Sequence, residues 1–165
     1  MHSLLVKLKR SLFTRFAINK AFSVGKNCRV NSYTRFTSKT HIGDNCNFNG
    51  MEILGKGEIT IGNNFHSGHD CIIISSYHNY DYGSKIPYDE TTIDKSVHIN
   101  DNVWIGHRVI ILGGIEIGEG AIIQAGSVVV NDIPKCAIAG GSPAKVFKYR
   151  NIEHYEKLKQ EGSFF

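Results

Sequence analysis

The chain has 165 residues, 41% of them hydrophobic, and a formal net charge of +4. That is enough apolar material for one buried core, and no apolar run approaches the roughly 20 residues of a membrane-spanning helix. The charge is uneven: residues 1–43 hold nine Lys or Arg and no acid, so a basic end precedes an acidic remainder.

The first predicted element is a helix over residues 1–20. Leu4, Leu5, Leu8, Leu12, Phe13 and Phe16 fall on one helical face, with Lys9, Arg10 and Arg15 largely away from it. Lys7, Lys9 and Arg10 interrupt the apolar run, which is too short for a secretory signal, and a cytoplasmic location is expected. The expected role is to cap the apolar end of the fold that follows. Contact with an anionic membrane surface is the less favoured role. Nucleic acid is not an expected partner, because the basic residues are not interleaved with a binding motif.

From residue 24 the chain repeats. Val24, Val30, Phe36, Ile42, Phe48 and Leu54 are six apart; after one extra residue the series resumes at Ile61, Ser67 and Ile73, and later runs from Ile93 through Ile99, Ile105, Ile111, Ile117 and Ile123 to Val129. A second column of small or medium residues sits four positions on, at Cys28, Thr34, Thr40, Cys46, Val97, Val103, Val109, Ile115, Ala121, Ser127 and Ile133. Gly43, Gly62, Gly106 and Gly118 follow column residues, as turns with little side chain require. Neither a helix nor an ordinary strand has this period. It marks an all-β solenoid in which three rungs close a triangular coil and coils stack about 4.8 Å apart. A flat sandwich would need alternation by two instead. Cys28, Cys46 and Cys71 occupy the small column and Cys136 stands alone; packing is their expected role, since no CxxC metal pattern is present.

The register then breaks. From Ile73 the next rung is due at position 79, but the column returns only at Ile93, 20 residues on rather than six, an excess of 14. An excursion loop over 74–92 is expected to project from a coil corner and to carry Tyr77, His78, Tyr80, Asp81 and Tyr82 outward. Long excursions from rigid scaffolds commonly carry function. His78 is the candidate catalytic group here, with Tyr77 and Asp81 as candidate substrate contacts.

After residue 136 the sixfold register is lost. Residues 137–150 read as a loop with Lys145, Lys148 and Arg150 clustered, either an ordinary solvated segment or a phosphate site. Asn151 is placed to cap a short helix over 152–161, with Gly162 as its stop. One domain over 1–165 is expected: a helical cap at 1–20, coils over 24–136, and the loop and helix of 137–165.

INDNVWIGHRVIILGGIEIGEGAIIQAGSVVVNDIP (99–134) followed by AGGSPAKV (139–146) resembles the hexapeptide-repeat acyltransferases, in particular the branch with galactoside, maltose and xenobiotic acetyltransferases. The resemblance covers residues 24 to about 150. It implies a left-handed parallel β-helix, acetyl-CoA as co-substrate with no metal, and a homotrimer with active sites between subunits. His78 falls where the sugar acetyltransferases carry their general base. By the same resemblance Trp104 stands beside the thioester and acceptor, and Asn47 lines the acceptor pocket. His107, Ala125 and the backbone near Gly126 lie along the pantetheine arm, and Lys145 and Lys148 lie near the coenzyme phosphates. Two departures stand out: Val130-Asn131 replaces the family's Thr-Lys pair near the coenzyme, and an acidic residue usual beyond the pocket asparagine is missing around Gly55 and Lys56.

The expected activity is therefore transfer of an acetyl group to a hydroxyl of a saccharide or related acceptor, in surface polysaccharide synthesis. N-acetylation of a nucleotide-linked amino sugar is the alternative. A γ-class carbonic anhydrase shares the architecture, but His66 and His69 are three apart and His98 and His107 nine, unlike that class's ligand spacing. A non-catalytic solenoid would need one regular flat face, and the outward positions are mixed.

Overall fold

The computed structural model describes residues 2–165, and side chains from residue 10 onward. The coils form a left-handed β-helix of about six turns. Three sheets, parallel except for the last strand of one, make the sides of a prism. Sheet A holds β1 (Ser23–Val24), β4 (Thr40–Ile42), β7 (Ile59–Ile61), β12 (Val97–Ile99) and β15 (Glu116–Ile117). Sheet B holds β2 (Arg29–Val30), β5 (Asn47–Phe48), β8 (His66–Ser67), β13 (Trp104–Ile105), β16 (Ile122–Ile123), β18 (Ala137–Gly141) and β19 (Ala144–Tyr149). Sheet C holds β3 (Thr34–Arg35), β6 (Met51–Leu54), β9 (Cys71–Ile74), β14 (Ile110–Leu112) and β17 (Val128–Val129).

The sixfold column is the core. Val30, Phe48, Ile61, Ile73, Ile99, Ile105, Ile111, Ile117, Ile123 and Val129 are buried, and Phe48 packs between Phe36, edge-on, and Phe65, tilted, with ring centroids 5.0 and 5.3 Å apart. Leu54 and Ile93 depart from expectation: Ile93 pairs with Tyr77 in a two-stranded hairpin outside the three sheets and is half-buried. Ile53 takes the inward place, pairing with Ile73, and Leu54 is half-buried. Gly50, at φ +118°, shortens the corner before β6 by one residue, so the register slips there.

The glycines after column residues also act differently from the expected turns. A Cβ on Gly106 would stand 2.5 Å from the Ala125 nitrogen of the next coil, and one on Gly43 2.8 Å from the Gly62 carbonyl carbon. Close stacking of coil on coil requires them. Left-handed backbone falls instead on later residues of the corners, among them Asp70, Arg108 and Gly120 and the four asparagines Asn27, Asn45, Asn64 and Asn102, these last with φ between 56° and 61°. Their amides form a ladder along one corner, with steps of 3.0, 3.2 and 2.8 Å.

Helix α1 (His2–Ile18) lies over the first coil. Ala17 is buried and Phe13 packs against the core, while the Thr14 hydroxyl accepts from the Val30 N–H at 2.9 Å, satisfying an end-strand donor. The capping face is thus Phe13, Thr14 and Ala17, whereas Leu12 and Phe16 point away from the coil at 61% and 63% exposure. This corrects the single apolar face expected from the sequence; the side chains of Leu4, Leu5, Leu8, Lys7 and Lys9 lie outside the described residues.

Two expected loops are hairpins. Within 74–92 and its return, β10 (Ser76–His78) pairs antiparallel with β11 (Thr92–Asp94). Within 137–150, β18 and β19 pair antiparallel with a bulge at Ile138/Ala139. Helix α2 (Ile152–Gln160) follows, its N-cap Asn151 accepting from the His154 N–H at 2.9 Å. Tyr155 ties α2 to the coils: its hydroxyl receives the Asn102 amide at 3.0 Å and donates to Glu119 at 2.8 Å, so the asparagine ladder ends on this helix.

Candidate active site

Side chains that precede a column residue point outward, and strand register aligns them across sheet B. Asn47, His66, Trp104, Ile122, Ile138 and Lys148 are successive neighbours on this outer face. His66 and Trp104 wall a cavity of about 320 Å³, closed opposite by Tyr155, Leu158, Phe164 and Phe165. Asn47 continues it as a cleft under Phe164 and Phe165. The Phe165 ring stands edge-on to His66 at 5.3 Å. Trp104 remains 53% exposed and offers a flat apolar wall. Burial lowers the His66 pKa below its ordinary value, which favours the neutral imidazole.

His66 was not singled out from sequence as a site residue. The signal was present, because it precedes Ser67 as Trp104 precedes Ile105 and Asn47 precedes Phe48.

At the corner between sheets B and C, His69 and His107 stack at 5.1 Å, and the His107 Nδ1 accepts the His69 N–H at 3.2 Å. The Gly126 N–H donates to the His107 carbonyl at 2.8 Å. Ala125 and Gly126 leave this corner low, and a Cβ on Gly126 would meet nothing. Lys145 and Lys148 are exposed on β19 and form no ion pair among the described residues. Arg150 is otherwise engaged: its Nε donates to the Gly120 carbonyl at 2.6 Å and its guanidinium lies over Tyr155.

The third group occupies the corner between sheets C and A. His78 ends β10, exposed, its ring stacked on Tyr88 at 3.6 Å and 11°. Among the described residues no hydrogen bond engages its ring nitrogens. Tyr77 pairs with Ile93 and carries the Lys95 ammonium over its ring at 5.4 Å; the Tyr77 hydroxyl, as hydrogen-bond partner, raises the Lys95 pKa. Asp81 is exposed. Val130 and Asn131 follow β17 and belong to this corner too, so sheet C separates them from His107, Ala125 and Gly126.

One chain therefore brings Asn47, His66 and Trp104 together, and His107, Ala125 and Gly126 beside them. It does not bring His78 to Trp104: no residue of the arm lines the Trp104 cavity.

Residues 96–131 match the bacterial transferase hexapeptide (six repeats) family. The chain is 31% identical over 153 residues to a galactoside O-acetyltransferase of Lactococcus lactis, covering 86% of this chain and 72% of that one. It belongs to the hexapeptide-repeat acyltransferases. Among solved structures, a hexapeptide-repeat acetyltransferase of Vibrio cholerae complexed with acetyl coenzyme A superposes with a TM-score of 0.72 at 27% identity, covering 84% of this chain and 76% of that one. A galactoside acetyltransferase in complex with coenzyme A gives 0.69 at 29% identity, covering 88% and 71%. The chain spans only 53% and 59% of two other relatives, from Schizosaccharomyces pombe and Saccharomyces cerevisiae, to which it is 40% and 37% identical.

Beside sheet B, small residues at 125 and 126 leave the corner open, and Lys145 and Lys148, which form no ion pair among the described residues, are exposed on the neighbouring hairpin. Among the described residues no three His, Cys, Asp or Glu side chains converge as metal ligands.

Proposed function

We propose that this chain is an acetyl-CoA-dependent O-acetyltransferase acting in the cytoplasm on a hydroxyl of a saccharide or related acceptor, in the making of surface polysaccharide. The observation that carries this reading is the arm: His78, exposed, stacked on Tyr88 and with no hydrogen bond to its ring nitrogens among the described residues, projects from one corner of the prism while Trp104 and Asn47 lie on another side.

The chemistry follows from these residues. A sugar hydroxyl is a weak nucleophile at neutral pH, so a neutral imidazole must accept its proton as the oxygen attacks, an effect of about 10² to 10⁴ in rate. Histidine, the side chain most often used to exchange a proton near neutral pH, suits that task. The co-substrate supplies the acetyl group as a thioester; His107, Ala125 and Gly126 would flank its arm, and Lys145 and Lys148 its phosphates. The hydroxyl proton held on His78 is the one returned when the thiolate departs. Trp104 and His66 give the acceptor an apolar wall with one neutral polar edge, and Asn47 gives it an amide. Tyr77 and Asp81 approach from the arm. Val130 and Asn131, in the place of the family's Thr-Lys pair, would meet the coenzyme from the corner that carries the arm.

Because one chain holds the two halves apart, the complete site is assembled by His78 of one subunit and Trp104 of its neighbour in a closed trimer. Mixing tests this. His78→Ala and Trp104→Ala should each be nearly inactive in thiol release from acetyl-CoA, and subunit exchange between them should restore activity at about a quarter of the sites, the fraction holding both native groups. No recovery after verified exchange, or full activity in a species of 18.4 kDa by light scattering, would sink the shared site.

A further inference from the structure

The outward side of α1 contributes no residue to the site proposed above. Leu12 and Phe16, one helical turn apart, are 61% and 63% exposed, while Phe13 and Ala17 meet the coil. Positions 5 and 8, both leucine, fall on the same helical line as Leu12 and Phe16. A helix that served only to close a solenoid end would turn a polar face to solvent.

The charge at this end of the prism has one sign. Arg10, Arg15 and Arg29 line a hollow on the Thr14 and Ile18 side of the helix, Arg15 directly precedes Phe16 and is exposed, and Lys20 and Lys26 are exposed at the same end. The first acid in the sequence is Asp44, and among the described residues no ion pair uses a Lys or Arg before Arg35. An apolar stripe bordered by cations is the arrangement that enters the headgroup region of an anionic bilayer.

We propose that α1 docks this end of the β-helix on an anionic lipid surface, with Leu12 and Phe16 entering the interface and Arg15, Lys20 and Lys26 facing lipid phosphates. Capping and docking then use opposite sides of one helix, so neither excludes the other. Pairing with a second copy, stripe against stripe, would set arginine against arginine with no acid in residues 1–43 to offset them. A lipid surface satisfies both the apolar and the cationic groups. No helix among the described residues is long and apolar enough to cross a membrane, so the contact is peripheral.

The test is co-sedimentation of the full chain with vesicles of phosphatidylcholine alone and with vesicles that also carry phosphatidylglycerol. Binding should appear with the anionic vesicles and weaken as salt shortens the Debye length. Leu12→Glu with Phe16→Glu should lower partitioning at least about tenfold, and Arg15→Glu with Lys20→Glu by a similar factor. The melting temperature and acetyl transfer to a soluble acceptor should be unchanged, since all four side chains are exposed. Absence of binding to anionic vesicles, or full binding by the Leu12/Phe16 variant, would overturn the proposal. So would a fall in molar mass for that variant, which would assign the stripe to another copy of the chain.

Discussion

In the coils, a side chain meets its counterpart one turn away: Asn27 bonds Asn45, Asn45 bonds Asn64, and Asn64 bonds Asn102. In the arm between β10 and β11, contacts are local. Asp89 accepts from the Ser84 and Thr91 N–H groups at 2.6 and 2.9 Å, Asn79 receives the Tyr82 N–H, and His78 rests on Tyr88. The coils owe their order to repetition and burial; the arm owes its order to a few polar bonds in solvent. Such an arm can change its residues without disturbing the core, and the core can present the arm without contributing to the chemistry.

The sharpest way to break that division is in the core. Phe48→Ala removes a fully buried ring between Phe36 and Phe65 and should cost about 3–5 kcal/mol, read by urea unfolding. A loss below about 1 kcal/mol would mean that the stack repacks freely. Next comes His78→Ala, which should lower kcat by about 10² or more, equivalent to about 2.7 kcal/mol of barrier, with unchanged melting temperature and coenzyme affinity. His78→Asn should do no better, lacking a basic nitrogen. Wild-type turnover in the alanine variant would leave the arm a recognition element only.

A smaller effect is expected from Asp89→Ala, which should speed proteolysis within residues 79–92 while leaving global unfolding in place. Hydrogen bonds from the Thr91 hydroxyl, then from the Ser84 and Thr91 amides, hold the Asp89 carboxyl well below the usual range. The folded-state pKa is depressed, so this contribution is complete above about pH 4, the ordinary carboxylate value. It is lost only as pH falls through the lowered one. Loosening of the arm near neutral pH would contradict this.

The smallest effect concerns α2. Burial acts to raise the Glu119 pKa, but hydrogen bonds from Lys159 and Tyr155 and the charge of Lys135 outweigh it and hold the carboxyl low. Its tether is likewise present above about pH 4.3 and fades as pH falls below it. Glu119→Gln should loosen α2 by about 0.5–1 kcal/mol, seen as faster amide exchange in residues 152–160.

The column residues were legible because a six-residue spacing is a direct projection of the triangular coil; Ile99, Ile105 and Ile111 sit where that spacing put them. Leu54 was not, since a one-residue corner contraction at Gly50 depends on local backbone that the period averages away. In α1, helical spacing brought Leu12 and Phe16 into one face with Phe13, and only packing on Val30 distinguishes the side that is buried. The two hairpins were missed because their strands are mostly polar or irregular, without the alternation that marks a half-buried strand. Of the candidate site, the outward position before each column residue could have been read as a continuous line, and His66 with it. The separation of His78 from Trp104 could not, because it follows from which corner each belongs to.

The arm also has a particular address along the stack. It departs after β9 and returns before β12, with turns of the coil on both sides of its root: β9 pairs with β6 and β14, and β12 with β7 and β15. In a quasi-one-dimensional stack each turn touches only its neighbours, so opening begins at the ends and reaches the middle last. Amide exchange should therefore be slowest near Ile73 and Ile99 and quicken toward Val30 and Ala139. The base of the arm is anchored in the part of the prism that frays last, and partial melting at either end leaves the hinge of His78 in place.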